Sequence, residues 1–570
     1  MYPRAYKVEP TQGQEQFGGS VNKINRKQGI ATKLVMRVSW LSAALLPALA
    51  YAQPGVPTPG EVEESLRAPL PILQPERPAV VGAISPARPG VAPGGRRVTL
   101  YQVDFVGNTV FDDAALREVI ADRIGAALTL EEIYATADRL TDFYQQHGYS
   151  VALVTVPAQR VTDGRIRFEV VEGRLAEISM TGQQRYNEAR LRRHLRNTHS
   201  GDILRFDAIE RDILLLNDLP GLVVRSVIEP GDSYGTSDLR LRIEETPWQA
   251  SLTLDNHGPE SVGRWRLGAS GALNNLAGVG DRLELGLTRS EAGLLRQGRL
   301  DWSRPLGYHG GRLGLHYSRT HYDVGGDFSA LGIDGVSESA RINYSYPLRR
   351  SRDANLIAAV ALSQTRGRSE IDGVPLSDAR VNLLEGRLSH DQRQGRLATT
   401  SHLRLGTNLR GNRDGDRDDA VRARLHLATS LDYLFTDHWG LHLRADGQLS
   451  ADPLPDSQQF GLGGPHSVRG FVGSRQRGDQ GLMATAELRR FIRLDAHDLV
   501  LRGYLDAGEV HRLRPAAGVE RRSSLSAAGL GMTFSFQRRH LLHIDWARAI
   551  DGKTVDDDRD QLWLTLGITF

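Results

Sequence analysis

The sequence predicts a multidomain chain: two small α+β modules, then a sixteen-stranded antiparallel transmembrane β-barrel. Three observations predict it. Between Val98 and Glu245 one order of elements (strand, helix, helix, strand, strand) is written twice. After Pro247 the helical period disappears, and apolar residues alternate with polar ones over about sixteen segments, each near the ~10 residues that a tilted membrane strand needs. The connections alternate too, long after odd-numbered segments and short after even-numbered ones. A soluble sandwich has no reason to sort its loops by parity. An outer-membrane barrel does, with periplasmic turns on one side and external loops on the other.

The bulk properties agree with this class. A chain of 570 residues exceeds one ordinary core. A net charge of +3, with both signs interspersed, excludes the footprint of a nucleic-acid binder. A mean hydropathy of −0.36 excludes a bundle of membrane helices but not a barrel, whose strands average to neutral. The absence of cysteine excludes disulfides and thiolate metal sites, and suits a chain that crosses an oxidising compartment.

In chain order, residues 1–52 form a signal region. Met36 is the expected start, Arg37 supplies the positive charge, Leu41 to Leu49 the apolar stretch, and Ala50-Tyr51-Ala52 the cleavage site before Gln53. Residues 53–97 hold about ten prolines and read as an extended linker. Within it "EVEESLRAPL" has room for one short, proline-bounded helix.

The first module covers 98–174. Its second helix starts on the capping box Thr129/Glu132 and lines up Leu130, Ile133, Tyr134, Ala137, Leu140 and Tyr144 as an apolar face. The second module covers 175–246, with helices in "NEARLRRHLRNT" and "RFDAIERDILLLNDLPG".

The barrel covers 247–570. "DVGGDFSALGIDGVSES", "RGRSEIDGVPLSD" and "GNRDGDRDD" read as long external loops; "FTDH", "DAHD" and "QRR" read as periplasmic turns. Six of the seven tryptophans lie in this half and are assigned to interfacial girdles. The last segment, "LWLTLGITF", puts Leu562, Leu564, Leu566, Ile568 and Phe570 on the lipid side.

The sixth external loop, near Ala451 to Gln480, contains "GGPHSVRGF", residues Gly463, Gly464 and Val468 to Phe471 among them. An arginine before a glycine in a loop is ordinarily solvated, and on the residues alone that reading stays open. The following hairpin offers an alternative. In "LVLRGYLDAG" the period of two turns Leu499, Leu501 and Leu505 to lipid and Arg502, Tyr504 and Asp506 to the lumen. Asp506 can therefore receive Arg469, whose planar fork suits a carboxylate. Gly470 would allow a tight turn and Phe471 would add apolar packing.

With these residues in view, the chain resembles the outer-membrane transporters of two-partner secretion, of the hemolysin-activator and filamentous-hemagglutinin transporter type. That resemblance implies a signal peptide, a linker with an optional plug helix, two POTRA modules in the periplasm and a sixteen-stranded barrel. "VRGF", Val468 to Phe471, is similar to the sixth-loop motif of the superfamily, and Asp506 to the wall position that receives its arginine. "LDNHG", with Asp255, Asn256 and Gly258, resembles the first-strand motif of these transporters. "NLAGVGD", with Asn275, Gly278, Gly280 and Asp281, resembles their first turn. The terminal Phe570 resembles the signal by which such barrels are inserted.

The implied function is export of one large, unfolded, β-rich partner of hemolysin or adhesin type, recognised through its N-terminal secretion domain. Outer-membrane lipid and, during biogenesis, the barrel-assembly machinery are the other partners. The alternatives are a barrel-insertion factor of the same superfamily and a passive porin.

No cofactor, metal or catalytic residue is assigned. The aspartates Asp414, Asp416, Asp418 and Asp419 lack the distal glutamate of a calcium loop. The histidines show no zinc spacing, and no nucleophile elbow is present.

Overall fold

The computed structural model describes residues 58–66, 95–414, 421–473, 476–537, 539–552 and 558–570. The signal region, the cleavage site and most of the linker lie outside the described residues, as do Asp416, Asp418 and Asp419.

Within the linker one helix is described, α1, Pro59–Ser65. Thr58 caps it by accepting from the Glu61 N–H, and proline occupies its first turn, where the missing N–H costs nothing.

In the first module the strand Gln102–Val106 is followed by α2, Asp113–Val119, and α3, Leu130–Gln146. The strands Leu153–Thr155 and Arg165–Val171 complete it. Arg165–Val171 lies in the middle of the sheet, parallel to the first strand and antiparallel to the other. The Thr129/Glu132 capping box starts α3. Ile133, Ala137, Leu140 and Tyr144 are buried against Val103, Phe105, Ile166 and Phe168. Leu130, expected on that face, is 48% exposed. It is the first residue of the helix, one turn short of the sheet.

The second module repeats the plan with the strand Arg174–Thr181, α4 (Glu188–Arg192), α5 (Phe206–Asn217) and the strands Leu222–Pro230 and Thr236–Glu245. Here α4 stops earlier than its periodicity suggested, because the chain beyond it turns to satisfy buried Asp212. The Asn197 N–H and the Thr198 hydroxyl both donate to that carboxylate, at 2.9 Å. The repeat extends to detail. A glutamate at the end of each central strand ties down the loop after the first strand: Glu172 accepts from the N–H groups of Thr109 and Val110, and Glu245 from those of Gln184, Arg185 and Tyr186.

The remaining strands close into an antiparallel barrel, the last, Asp560–Thr569, pairing with the first, Trp248–Asp255. Alternation sets the faces: Leu505 is 60% exposed on the lipid side and Asp506 2% exposed in the lumen. Trp563 departs from the girdle assignment. It faces the lumen, fully buried, because it alternates with the lipid-facing Leu562.

Strand length varies round the wall. The first three strands have 8, 9 and 9 residues, whereas Ile333–Arg350, Ala354–Ile371 and Val374–Gln394 have 18, 18 and 21. The segment "RGRSEIDGVPLSD", expected as a loop, is therefore mostly ribbon. Asp372 and Gly373, at φ 47° and 76°, make a two-residue turn that closes the hairpin between Ile371 and Val374. Beyond the lipid belt both faces of a ribbon meet water, so apolar alternation no longer marks it as strand.

Candidate functional site in the barrel lumen

The sixth external loop leaves the eleventh barrel strand at Ser450 and re-enters the wall at Gln480. Between them it folds into the lumen. Gly463 and Gly464 both hold positive φ, and a Cβ on Gly463 would sit 2.3 Å from the Gly473 carbonyl oxygen, so the loop crosses itself where a side chain has no room. The Gly464 N–H donates to the Phe471 carbonyl at 2.7 Å, closing the turn that presents Arg469. Val468 and Phe471 pack with Phe460, Leu462, Met483, Val510, Leu525, Ala527 and Ala549. A Cβ on Gly470 would stand 2.7 Å from the Ala527 methyl and 2.8 Å from the Ala549 nitrogen, so backbone touches wall at that point.

That approach brings Arg469 and Asp506 together. Nε and Nη2 of Arg469 donate to the two carboxylate oxygens, each at 2.8 Å, and the Arg469 N–H adds a third bond at 3.2 Å. Thr485 donates to the same carboxylate at 2.9 Å. The guanidinium lies 3.3 Å from the centre of the Tyr504 ring.

Three contacts had no signal in the loop itself. Nη1 of Arg469 donates to Glu487 at 2.9 Å, Asp545 stands 4.0 Å away, and the Trp563 indole donates to the Arg469 carbonyl at 2.7 Å. Strand parity carried the signal for Glu487, which is paired directly opposite Tyr504. Arg489 and Arg502 neutralise Glu487 and Asp545 from the other side.

The first-strand motif sits at the closing seam. Asp255 holds Arg266 at 2.8 Å, and Arg266 in turn donates to the Ser65 carbonyl at the end of α1. The Asn256 amide donates to the Leu562 carbonyl and accepts from the Leu564 N–H, both at 2.8 Å, so it stitches the first strand to the last. A Cβ on Gly258 would meet the Gly263 carbonyl oxygen at 2.1 Å. Phe570 continues the seam, its N–H donating to the Ala250 carbonyl.

At the outer end α1 lies inside the wall, with Val62 fully buried beside Val262, Leu295 and Tyr322. Asp456 accepts from the Gly60 N–H, and Arg477 holds Glu64 at 2.7 Å.

At the other end the turn "NLAGVGD" closes on itself and docks on the second module. Asp281 accepts from the Ala277 N–H, and Asn275 from the Gly280 N–H. Gly278 and Gly280 hold φ of 71° and 79°, and Gly280 abuts Leu219 just past α5. The next two turns dock as well. Arg350 forks onto Asp218 at 2.9 and 2.8 Å, and Tyr308 receives a hydrogen bond from Arg193 beside the buried ring of His194. His194 is pushed down to about 4, chiefly by burial and then by the charge of Arg190.

A closed membrane barrel with two α+β modules, the second docked on its periplasmic turns, and an external loop pinned inside its lumen, defines a protein-handling transporter of the outer membrane. The model of the hemolysin secretion/activation family, ShlB/FhaC/HecB, matches residues 235–534, and that of the ShlB-type POTRA domain matches residues 98–173. The chain belongs to that family. It is 23% identical over 475 residues to the heme/hemopexin transporter protein HuxB of Haemophilus influenzae strain 86-028NP, covering 80% of this chain and 84% of that one. To the outer membrane transporter CdiB of Dickeya dadantii it is 28% identical over 410 residues, or 68% and 72% of the two chains. The solved structure of CdiB from Escherichia coli shares the fold, with a TM-score of 0.71, 22% identity and coverage of 87% and 94%.

Proposed function

We propose that this outer-membrane transporter of two-partner secretion captures a single secreted protein of hemolysin or adhesin type in the periplasm and passes it, unfolded, through the barrel, with no catalytic step of its own. The observation that carries this reading is the pair of POTRA modules, the second docked on the periplasmic turns, each a sheet whose two outer strands have a partner strand on one side only among the described residues. Gln102–Val106 and Leu153–Thr155 are the outer strands of the first sheet, Arg174–Thr181 and Leu222–Pro230 those of the second. Such edges accept an extended chain by strand addition, which suits a partner that arrives unfolded. The clasp of Arg469 on Asp506 and Glu487 supports a passage of fixed shape, in which the sixth loop stays against one wall while the chain moves past it. A passive porin has no use for the modules, and the family match is to secretion proteins, not to insertion factors.

Deleting residues 98–245 tests this reading. The barrel should still insert and show its heat-modifiable band, while the secreted partner accumulates in the periplasm and is lost from the medium. Undiminished export by the truncated barrel would remove the capture role.

A further inference from the structure

The second module carries a basic face at the level of the barrel's periplasmic rim. Residues 188–199 hold Arg190, Arg192, Arg193 and Arg196 against one carboxylate, Glu188. Arg192 takes Glu188 at 2.8 Å, His199 takes Asp202, and Asp212 is occupied by Asn197 and Thr198. Arg190, Arg193 and Arg196 make no ion pair among the described residues.

Their height is set by Tyr308, in the turn between the strands Leu295–Pro305 and Arg312–Asp323. Arg193 donates to the Tyr308 hydroxyl at 3.1 Å, and the guanidinium carbons of Arg190 and Arg193 lie 5.9 and 5.8 Å from its ring centre. A turn joining two membrane strands ends in the headgroup layer. Leu306 and Leu348, exposed on the lipid side near these turns, mark where the apolar belt stops. Arg190 and Arg193, without ion-pair partners among the described residues, are thus held beside a turn at the headgroup layer, and Arg196 follows in the same exposed segment.

We propose that this face binds the headgroups of anionic phospholipids in the periplasmic leaflet, tethering the second module to the membrane beside the barrel. The guanidinium fork matches a phosphate as it matches a carboxylate, and each arginine near an anionic surface favours contact about fivefold. The proposal rests on the barrel being embedded, not on the export reading, so either can fail alone.

Full-length protein would be placed in nanodiscs of phosphatidylcholine with and without phosphatidylglycerol, and hydrogen exchange followed across residues 187–200. Phosphatidylglycerol should slow exchange there roughly fivefold or more, and 1 M salt, where the screening length falls to about 3 Å, should abolish the effect. The triple variant Arg190→Gln, Arg193→Gln, Arg196→Gln should lose the response while keeping its heat-modifiable barrel. Arg196→Gln alone, which leaves the contacts of Tyr308 intact, should lose part of it. Equal exchange in both discs, a full response in the triple variant, or equal protection by inorganic phosphate in phosphatidylcholine discs would each overturn the proposal.

Discussion

Arg469 answers to two carboxylates directly and stands near a third, and that changes what substitution does. Arg469→Ala would leave Asp506 and Glu487 buried together without their shared cation, a loss of about 3–5 kcal/mol for such sites. The loop should come away from the wall, and export should fall sharply while the barrel stays in the membrane. Arg469→Lys should rescue only in part, because an ammonium cannot span both oxygens of Asp506 and still reach Glu487. The exchange of Arg469→Asp with Asp506→Arg would set the new carboxylate beside Glu487, so the double variant should recover less than an isolated pair would. Export and conductance on all four proteins measure this coupling; strict additivity would mean that the residues act separately. The position of Asp506 was legible because strand parity puts it on the lumen wall. Tyr504, on the same strand, was legible in the same way. Thr485, Glu487 and Trp563 come from other strands, and no local pattern ties Asp545 to the loop.

His194 gives a pH prediction at the same scale. Its value is depressed to about 4 from the ordinary 6.5, chiefly by burial, so the unfolded module binds a proton that the folded one excludes. The contribution of His194 to folding stability is complete above pH 6.5 and declines as pH falls toward 4, by on the order of 3 kcal/mol. Hydrogen exchange across residues 187–217 of the second module should rise over that window and stay flat in His194→Gln.

Among the elements, the seam between first and last strands is the weakest joint of the wall. It holds five paired positions, Thr565 to Thr569 against Asp255 to Ser251, where the strands Ala354–Ile371 and Val374–Gln394 pair almost throughout. The side chain of Asn256 extends this short ladder by two hydrogen bonds. Asn256→Ala should therefore cost about 1–3 kcal/mol, since the Leu562 carbonyl and Leu564 N–H lose their partners. Faster exchange at residues 562–566 and a lower temperature for loss of the folded band would register it. Asn256→Asp, which keeps the acceptor, should fall between, and wild-type behaviour in both would deny the seam this support. Pairing across the seam was not legible locally, because it joins the two ends of the barrel's chain. The long external ribbon was also missed, since strand outside lipid has no apolar face to show.

For the whole molecule, the features visible in the sequence were the repeated ones. A duplicated module and a period of two in the barrel survive averaging over many residues, and loop parity gives the wall its orientation. What escaped is what depends on single contacts across great sequence distance, such as Tyr308 against α4 or Trp563 against the loop. That last contact has a consequence in time. The carbonyl of Arg469 is held by an indole on the final strand, and the guanidinium by carboxylates on the twelfth and thirteenth. Contacts this distant form late, after much chain entropy has been spent. A polypeptide arrested before residue 560 would lack Trp563, and the Arg469 carbonyl would lose its partner. The last strand to arrive thus completes the lock, so a loop fastened at the Arg469 carbonyl marks a barrel whose closing strand is in place.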